Sequence, residues 1–205
     1  MQTDMTVGKP MKMILDFTIP VFIGNVFQQF YNMADAIIVG KFVGTKGLAA
    51  VGSTGTIMFL IIGFLTGLTA GFTVLTSQKF GAGKMDEMRQ SVGNAALLSI
   101  IISVIMTAVS MVGMHPLLTL MHTPEDIFQD AYTYIMIICG GIFAQVLYNI
   151  LASILRALGN SKTPLYFLIL AALLNIVLDL TFIIVFHMGV AGAAWATITA
   201  QGVSG

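Results

Sequence analysis

The sequence predicts an all-α membrane protein, a polytopic bundle of long helices, and two observations carry that prediction. Hydrophobic residues make up 57% of the chain and charged residues 9%, with a mean hydropathy of +0.94; a soluble globule has about a quarter of its residues charged. The apolar residues also fall in long runs separated by short polar or glycine-containing turns, and about 20 residues suffice to cross a ~30 Å hydrocarbon core. The same composition excludes other classes. Net charge is zero and no basic run exceeds two residues, so no nucleic-acid partner is expected. Cys139 is the single cysteine, which rules out an internal disulfide and a cysteine metal cluster and leaves core packing as its role.

Five complete spans and one partial span follow in order. The first covers about residues 14–39 and contains Pro20, which removes a backbone hydrogen bond and is expected to bend the helix. Along it Asn25, Gln28, Asn32 and Asp35 recur at spacings of three, four and three, which stacks them in one narrow polar stripe. A carboxylate placed in hydrocarbon costs roughly 2.5–3.5 kcal/mol on insertion scales, so Asp35 is expected to have a function. Lys9 and Lys12 lead into this span with no small-residue cleavage pattern after it, unlike a cleavable signal peptide.

The second span covers about residues 48–76. Gly63, Gly67 and Gly71 recur there every fourth residue and read as a groove for a neighbouring helix. Residues 77–90 are the most polar segment, read as a surface turn and short amphipathic helix before a third span at about 92–114. Residues 115–130 hold Pro116, Pro124 and the three acids Glu125, Asp126 and Asp130 without Lys or Arg, and read as a loop. The fourth span, about 131–158, puts Gln145, Asn149, Ser153 and Arg156 on one face. Arg156, near its inner end, is expected to snorkel to the interface. After a turn at Gly159, Asn160 and Ser161 the fifth span covers about 163–186, and a sixth begins near Val190. Its 16 residues to Gly205 rise about 24 Å, short of a crossing, so the chain is expected to be truncated within this helix.

Alternating these spans puts Lys9, Lys12, Lys79, Lys84, Arg89, Arg156 and Lys162 on one side, and Lys41 and Lys46 on the other. The positive-inside rule makes the first side, and the N-terminus, cytoplasmic in a cell (inner or plasma) membrane.

The candidate chemistry lies on the first and fifth spans. Asn175 and Asp179 are four apart and so share a face. Asp35 and Asp179 each follow a proline, Pro20 and Pro164, by 15 residues, which is about 22 Å of rise and places both acids at a similar depth. The constant offset of 144 between the pairs hints at an internal repeat. Two facing, desolvated carboxylates are expected to keep one proton near neutral pH. Alternatively, the same oxygens with amide carbonyls would coordinate bare Na⁺, a hard cation. Solvation of both acids in the headgroup layer is the competing reading, and the polar stripes running inward from them count against it. His115, His122 and His187 share no metal-ligand spacing and read as surface residues. The 14 Met and 14 Phe are lipid-facing and core filler, a few of them suited to an adaptable apolar cavity.

Three stretches resemble the multidrug and toxic compound extrusion (MATE) family. They are Gln28, Tyr31, Asn32, Asp35, Val39 and Gly40 followed by residues 48–52 (LAAVG); Ser77, Gln78 and residues 81–83 (GAG); and residues 155–160 (LRALGN) running on to Pro164, Asn175, Leu178 and Asp179. The resemblance implies a twelve-helix transporter of two six-helix lobes around a central cavity. This chain would be the N-terminal lobe, and the missing C-terminal six-helix lobe its partner. It implies a cation site at Asp35, Asn175, Asp179 and Thr197, with Asn149 as a nearby polar contact and Gln28, Asn32 and Gln145 lining the cavity. Pro20 matches a proline at which the first helix bends on protonation. Leu180 departs from the family, where many members have proline. The implied function is export of organic, cationic, amphipathic compounds by antiport, with H⁺ or Na⁺ as the coupling ion, no other cofactor, and small organic substrates and the bilayer as partners. A lipid-linked saccharide flippase of the same superfamily is the alternative; it would want basic residues for a phosphate, and only Arg156 comes close. An intramembrane aspartyl protease is more remote, because Val177 to Leu180 lacks the glycine-flanked aspartate expected there. A pure scaffold leaves both acids unexplained.

Overall fold

A computed structural model describes residues 10–205, so Lys9 lies outside the described residues. The apolar runs form helices, and no strand occurs among the described residues. In chain order they are α1 (Pro10–Phe42), α2 (Thr45–Gly81), α3 (Met85–Leu120), α4 (Glu125–Gly140), α5 (Ile142–Ala157), α6 (Lys162–Leu180), a π-helical turn (Thr181–Val185) and α7 (Gly189–Ser204). The first three have 33, 37 and 36 residues. At 1.5 Å per residue they measure roughly 50–55 Å, more than the hydrocarbon thickness, so they tilt or extend into the interfaces. Four helices are long and apolar enough to cross a membrane, and α4 with α5 reaches the same length and apolarity only as a pair bent by 49°. The 16 residues of α7 fall short of that length.

Several helix ends differ from the sequence reading, each for a local reason. No loop fills residues 115–130: α3 runs through Pro116 to Leu120, and the turn occupies only residues 121–124. A proline deletes one backbone donor, but an open loop would orphan more groups in a medium without water. Leu118, fully buried, anchors the extra turn. Residues 77–90 contain no separate amphipathic helix, since α2 continues to Gly81 and α3 starts at Met85. Lys79 and Lys84 both pair with Glu87 across that turn.

The fourth span is not continuous. It breaks at Gly141, where an added Cβ would lie 2.2 Å from Ile198 Cγ2. The glycine therefore admits α7 against the bend. After Leu180, which prolongs α6 where a proline would end it, the Phe186 N–H bonds to the Thr181 carbonyl across five residues. This widened turn packs against α7 at Gly192, where an added Cβ would lie 3.1 Å from Phe182 Cβ. The glycine groove on α2 is also corrected. Space beside Gly63, Gly67 and Gly71 is open to 4 Å, so no helix of the described chain packs there. The packed face carries Thr54, Leu65, Thr69, Thr73 and Thr76. Its hydroxyls bond inward, Thr73 Oγ1 to the Ala70 carbonyl at 2.8 Å and Thr76 with Ser91 Oγ at 3.0 Å, so close packing leaves them satisfied.

Two cores hold the bundle. One joins α2 to α5 through Leu65, Leu118, Ile135, Cys139 and Ile142. The other joins α1, α4, the π-turn and α7 through Val39, Ile138, Ile183, Ala193 and Ala194. Outward, side chains such as Phe22, Phe59 and Val112 stand exposed, Val112 by 81%. In water such a surface would aggregate; in lipid it costs nothing.

Candidate functional site

Residues on α1 and α6 meet because those helices lie side by side in parallel. Gly24 faces Leu165 and Leu168 closely, with an added Cβ 3.6–3.7 Å from their methyls. Pro20 and Pro164 line one side pocket at the end of this contact. With the prolines level, the equal offset brings Asp35 and Asp179 level at the other end, near enough for each carboxyl group to act on the other.

Asn175 and Asp179 are fully buried and Thr197 is 9% exposed, whereas Asp35 is half-buried. With the Asn175 amide turned so that both ends are satisfied, Nδ2 donates to Asp179 Oδ2 at 3.0 Å and Oδ1 accepts from the Thr197 backbone N–H at 3.2 Å. The Tyr31 hydroxyl donates to Thr197 Oγ1 at 3.4 Å. Asp35 Oδ1 and Asp179 Oδ1 are both buried with no hydrogen-bond partner among the described residues. Two orphaned carboxylate oxygens at one point are costly unless a proton or a small cation is taken up there.

Asp35 stands at one end of an open cavity of about 360 Å³, and Asp179 is buried outside its wall. Asn25, Gln28, Asn32 and Asp35 all line it, so the polar stripe of α1 faces inward as its spacing implied. Gln145 and Asn149 line it from α5, Asn149 Nδ2 donating to the Gln145 carbonyl at 2.8 Å. Thr197 closes it from α7. Ser153 is buried instead. Arg156 lines the cavity and the side pocket beside it. His115, His122 and His187 are exposed, His115 packing edge-on against Phe128 and Tyr132. No group of three His, Cys, Asp or Glu side chains suited to a metal ion occurs among the described residues.

Sequence reasoning passed over Tyr134, Tyr148 and Gln201, which also line the cavity. For two of these a signal existed. Tyr148 follows Gln145 by three residues and Gln201 follows Thr197 by four, so each extends a polar face already recognised. Tyr134 lies in an apolar run with no polar neighbour one turn away on its C-terminal side, and nothing in the pattern marks it.

The MatE family model matches residues 20–181. A probable multidrug resistance protein, YpnP of Bacillus subtilis (strain 168), is 35% identical over 201 residues, covering 98% of this chain and 45% of that protein. A probable multidrug resistance protein NorM of Thermotoga maritima is 28% identical over 196 residues, covering 93% of this chain and 42% of its own length. Among solved structures, a MOP superfamily transporter from Pyrococcus furiosus, described as having a binding pocket of reverse polarity, superposes with a TM-score of 0.90 at 31% identity, over 96% of this chain and 43% of that one. The chain thus spans less than half the length of these relatives, the share of one lobe. With a family match across most of the sequence and a fold agreeing with a member's structure over nearly all of it, the chain belongs to the MatE family.

Proposed function

We propose that the full-length protein is a secondary transporter, not an enzyme, that exports organic, cationic, amphipathic compounds across the cell membrane by antiport with protons. The observation that carries this reading is the Asp35 and Asp179 pair, with its two orphaned oxygens, Asp35 on the wall of an open cavity and Asp179 buried behind it. A ligand moves a two-state equilibrium only by its differential affinity for the two states. Neutralising the pair removes the electrostatic attraction for a cationic substrate, so proton entry and substrate retention oppose each other. Pro20, buried on α1 with no N–H to donate, leaves that helix a place to bend as the pair changes charge. The basic residues, seven on one side and two on the other, favour a cytoplasmic N-terminus.

Between the two coupling ions the geometry favours H⁺. Two desolvated carboxyl groups next to each other avoid like-charge repulsion by holding a proton between them. With Nδ2 turned toward Asp179, the Asn175 amide donates to Asp179 Oδ2 and accepts from the Thr197 N–H, so that amide is satisfied without a cation; the opposite turn would offer Oδ1 to one. Dye efflux by the full-length protein in vesicles, with proton and sodium gradients imposed separately, tests this. Collapse of the proton gradient should stop uphill efflux and sodium removal should leave the rate unchanged; the reverse pattern refutes proton coupling.

A further inference from the structure

We propose that Arg156, with Ser161 and the start of α6, forms an anion-recognising subsite at the end of the cavity remote from the acid pair. It would take the carboxylate or phosphate group of a dipolar substrate. The inference rests on the exporter reading above and concerns what that cavity selects.

Four observations carry it. Arg156 lines both the main cavity and the side pocket, so its guanidinium belongs to the interior wall, where it is half-buried. None of the ion pairs among the described residues engages it. Moreover, no carboxylate lines the side pocket, whose polar groups are the Asn25 amide and the Tyr148 and Ser161 hydroxyls, each able to donate. Finally, α6 begins immediately after Ser161 and its first turn lines the same pocket through Pro164 and Leu165, so the helix dipole adds positive potential there even though Asn160 caps the Thr163 N–H. Nearby donors are partly committed, Asn160 Oδ1 accepting the Thr163 N–H at 3.1 Å and the Tyr148 hydroxyl reaching the Pro164 carbonyl at 3.5 Å. Among the described residues the guanidinium makes no hydrogen bond.

An unpaired guanidinium in an apolar, partly dehydrated wall is costly, and a planar oxyanion satisfies it through two parallel hydrogen bonds. The position also sets a distance. Arg156 shares its pocket with Asn25 and Pro20, which precede Asp35 by 10 and 15 residues. Along α1 that is about 15–22 Å, and the reach of the two side chains reduces the charge separation to the order of 10 Å. A substrate with a cationic end at the acid pair and an anionic end at Arg156 would bridge the cavity.

The test uses purified full-length protein in maltoside detergent, which carries no phosphate. Fluorescence anisotropy measures binding of a rhodamine with a free carboxylate and of the ethyl ester of the same dye. The wild type should bind the free acid about tenfold more tightly. Arg156→Gln should weaken the acid about tenfold and leave the ester unchanged, and Arg156→Lys should restore part of the preference. A phosphate-bearing analogue of the dye should respond as the free acid does. Repeating the measurement in phospholipid nanodiscs separates substrate anion from headgroup: persistence of the preference supports the subsite, and its loss assigns Arg156 to lipid phosphate and overturns it. Equal weakening of both dyes by Arg156→Gln, or of neither, also overturns it. If the ester binds but no preference exists, the subsite alone falls; if neither dye binds, the exporter reading falls with it.

Discussion

Asp179→Asn in the full-length protein should reduce proton-driven efflux about 100-fold, near the upper end of ordinary coupling energies, while membrane insertion and folding persist. The substitution keeps size and shape at a fully buried position. Its amide oxygen can still accept from Asn175 Nδ2, now 3.0 Å from Asp179 Oδ2. What disappears is the exchangeable proton and the charge. Removing an ionisable group from hydrocarbon relieves an insertion cost, so the melting temperature in detergent should stay level or rise. Asp35→Asn should give the same loss. The double variant should fall no further than either single one, because two carboxyl groups that share a proton act as a unit. Efflux from inverted vesicles after a pH jump measures all three. Additive losses would show two independent sites.

Gly141→Val should destabilise the bundle by about 1–3 kcal/mol or more, the ordinary cost of overpacking. An added Cβ there would meet not only Ile198 Cγ2 at 2.2 Å but also Ile198 Cβ at 2.7 Å, an atom fixed to its backbone. No change of rotamer removes that second contact, so α7 itself must shift. Because Thr197 precedes Ile198, the shift also pulls Thr197 away from Asn175 and Tyr31. A lowered melting temperature together with impaired dye binding is therefore expected. An unchanged melting curve would mean that α7 does not approach the bend this closely.

Much of this arrangement was legible in the sequence because membranes restrict the choices. Hydropathy marked the spans, and the stripe Asn25, Gln28, Asn32 and Asp35 pointed inward as a helical period requires. The equal spacing from Pro20 to Asp35 and from Pro164 to Asp179 placed both acids at one depth. Features that depend on a partner distant in sequence were hidden. Two adjacent glycines at positions 140 and 141 look tolerable in a helix until Ile198 is set against one of them. The open side of Gly63, Gly67 and Gly71 reverses a small-residue rule because threonines with inward-bonded hydroxyls pack equally closely. The place of Arg156 on the cavity wall was not legible either, since it depends on how α5 leaves the 49° bend with α4. No residue pattern encodes that angle.

The central claim is that the Asp35 and Asp179 pair takes up a proton when substrate leaves and gives it up when substrate binds. Counting protons released on binding tests it most directly. Full-length protein in weakly buffered solution with a pH indicator is titrated with the rhodamine ester, whose own charge does not change. The account predicts release of close to one proton per dye bound by the wild type, and none by Asp35→Asn or Asp179→Asn with dye binding retained. Binding without proton release in the wild type, or undiminished release in both variants, would contradict it.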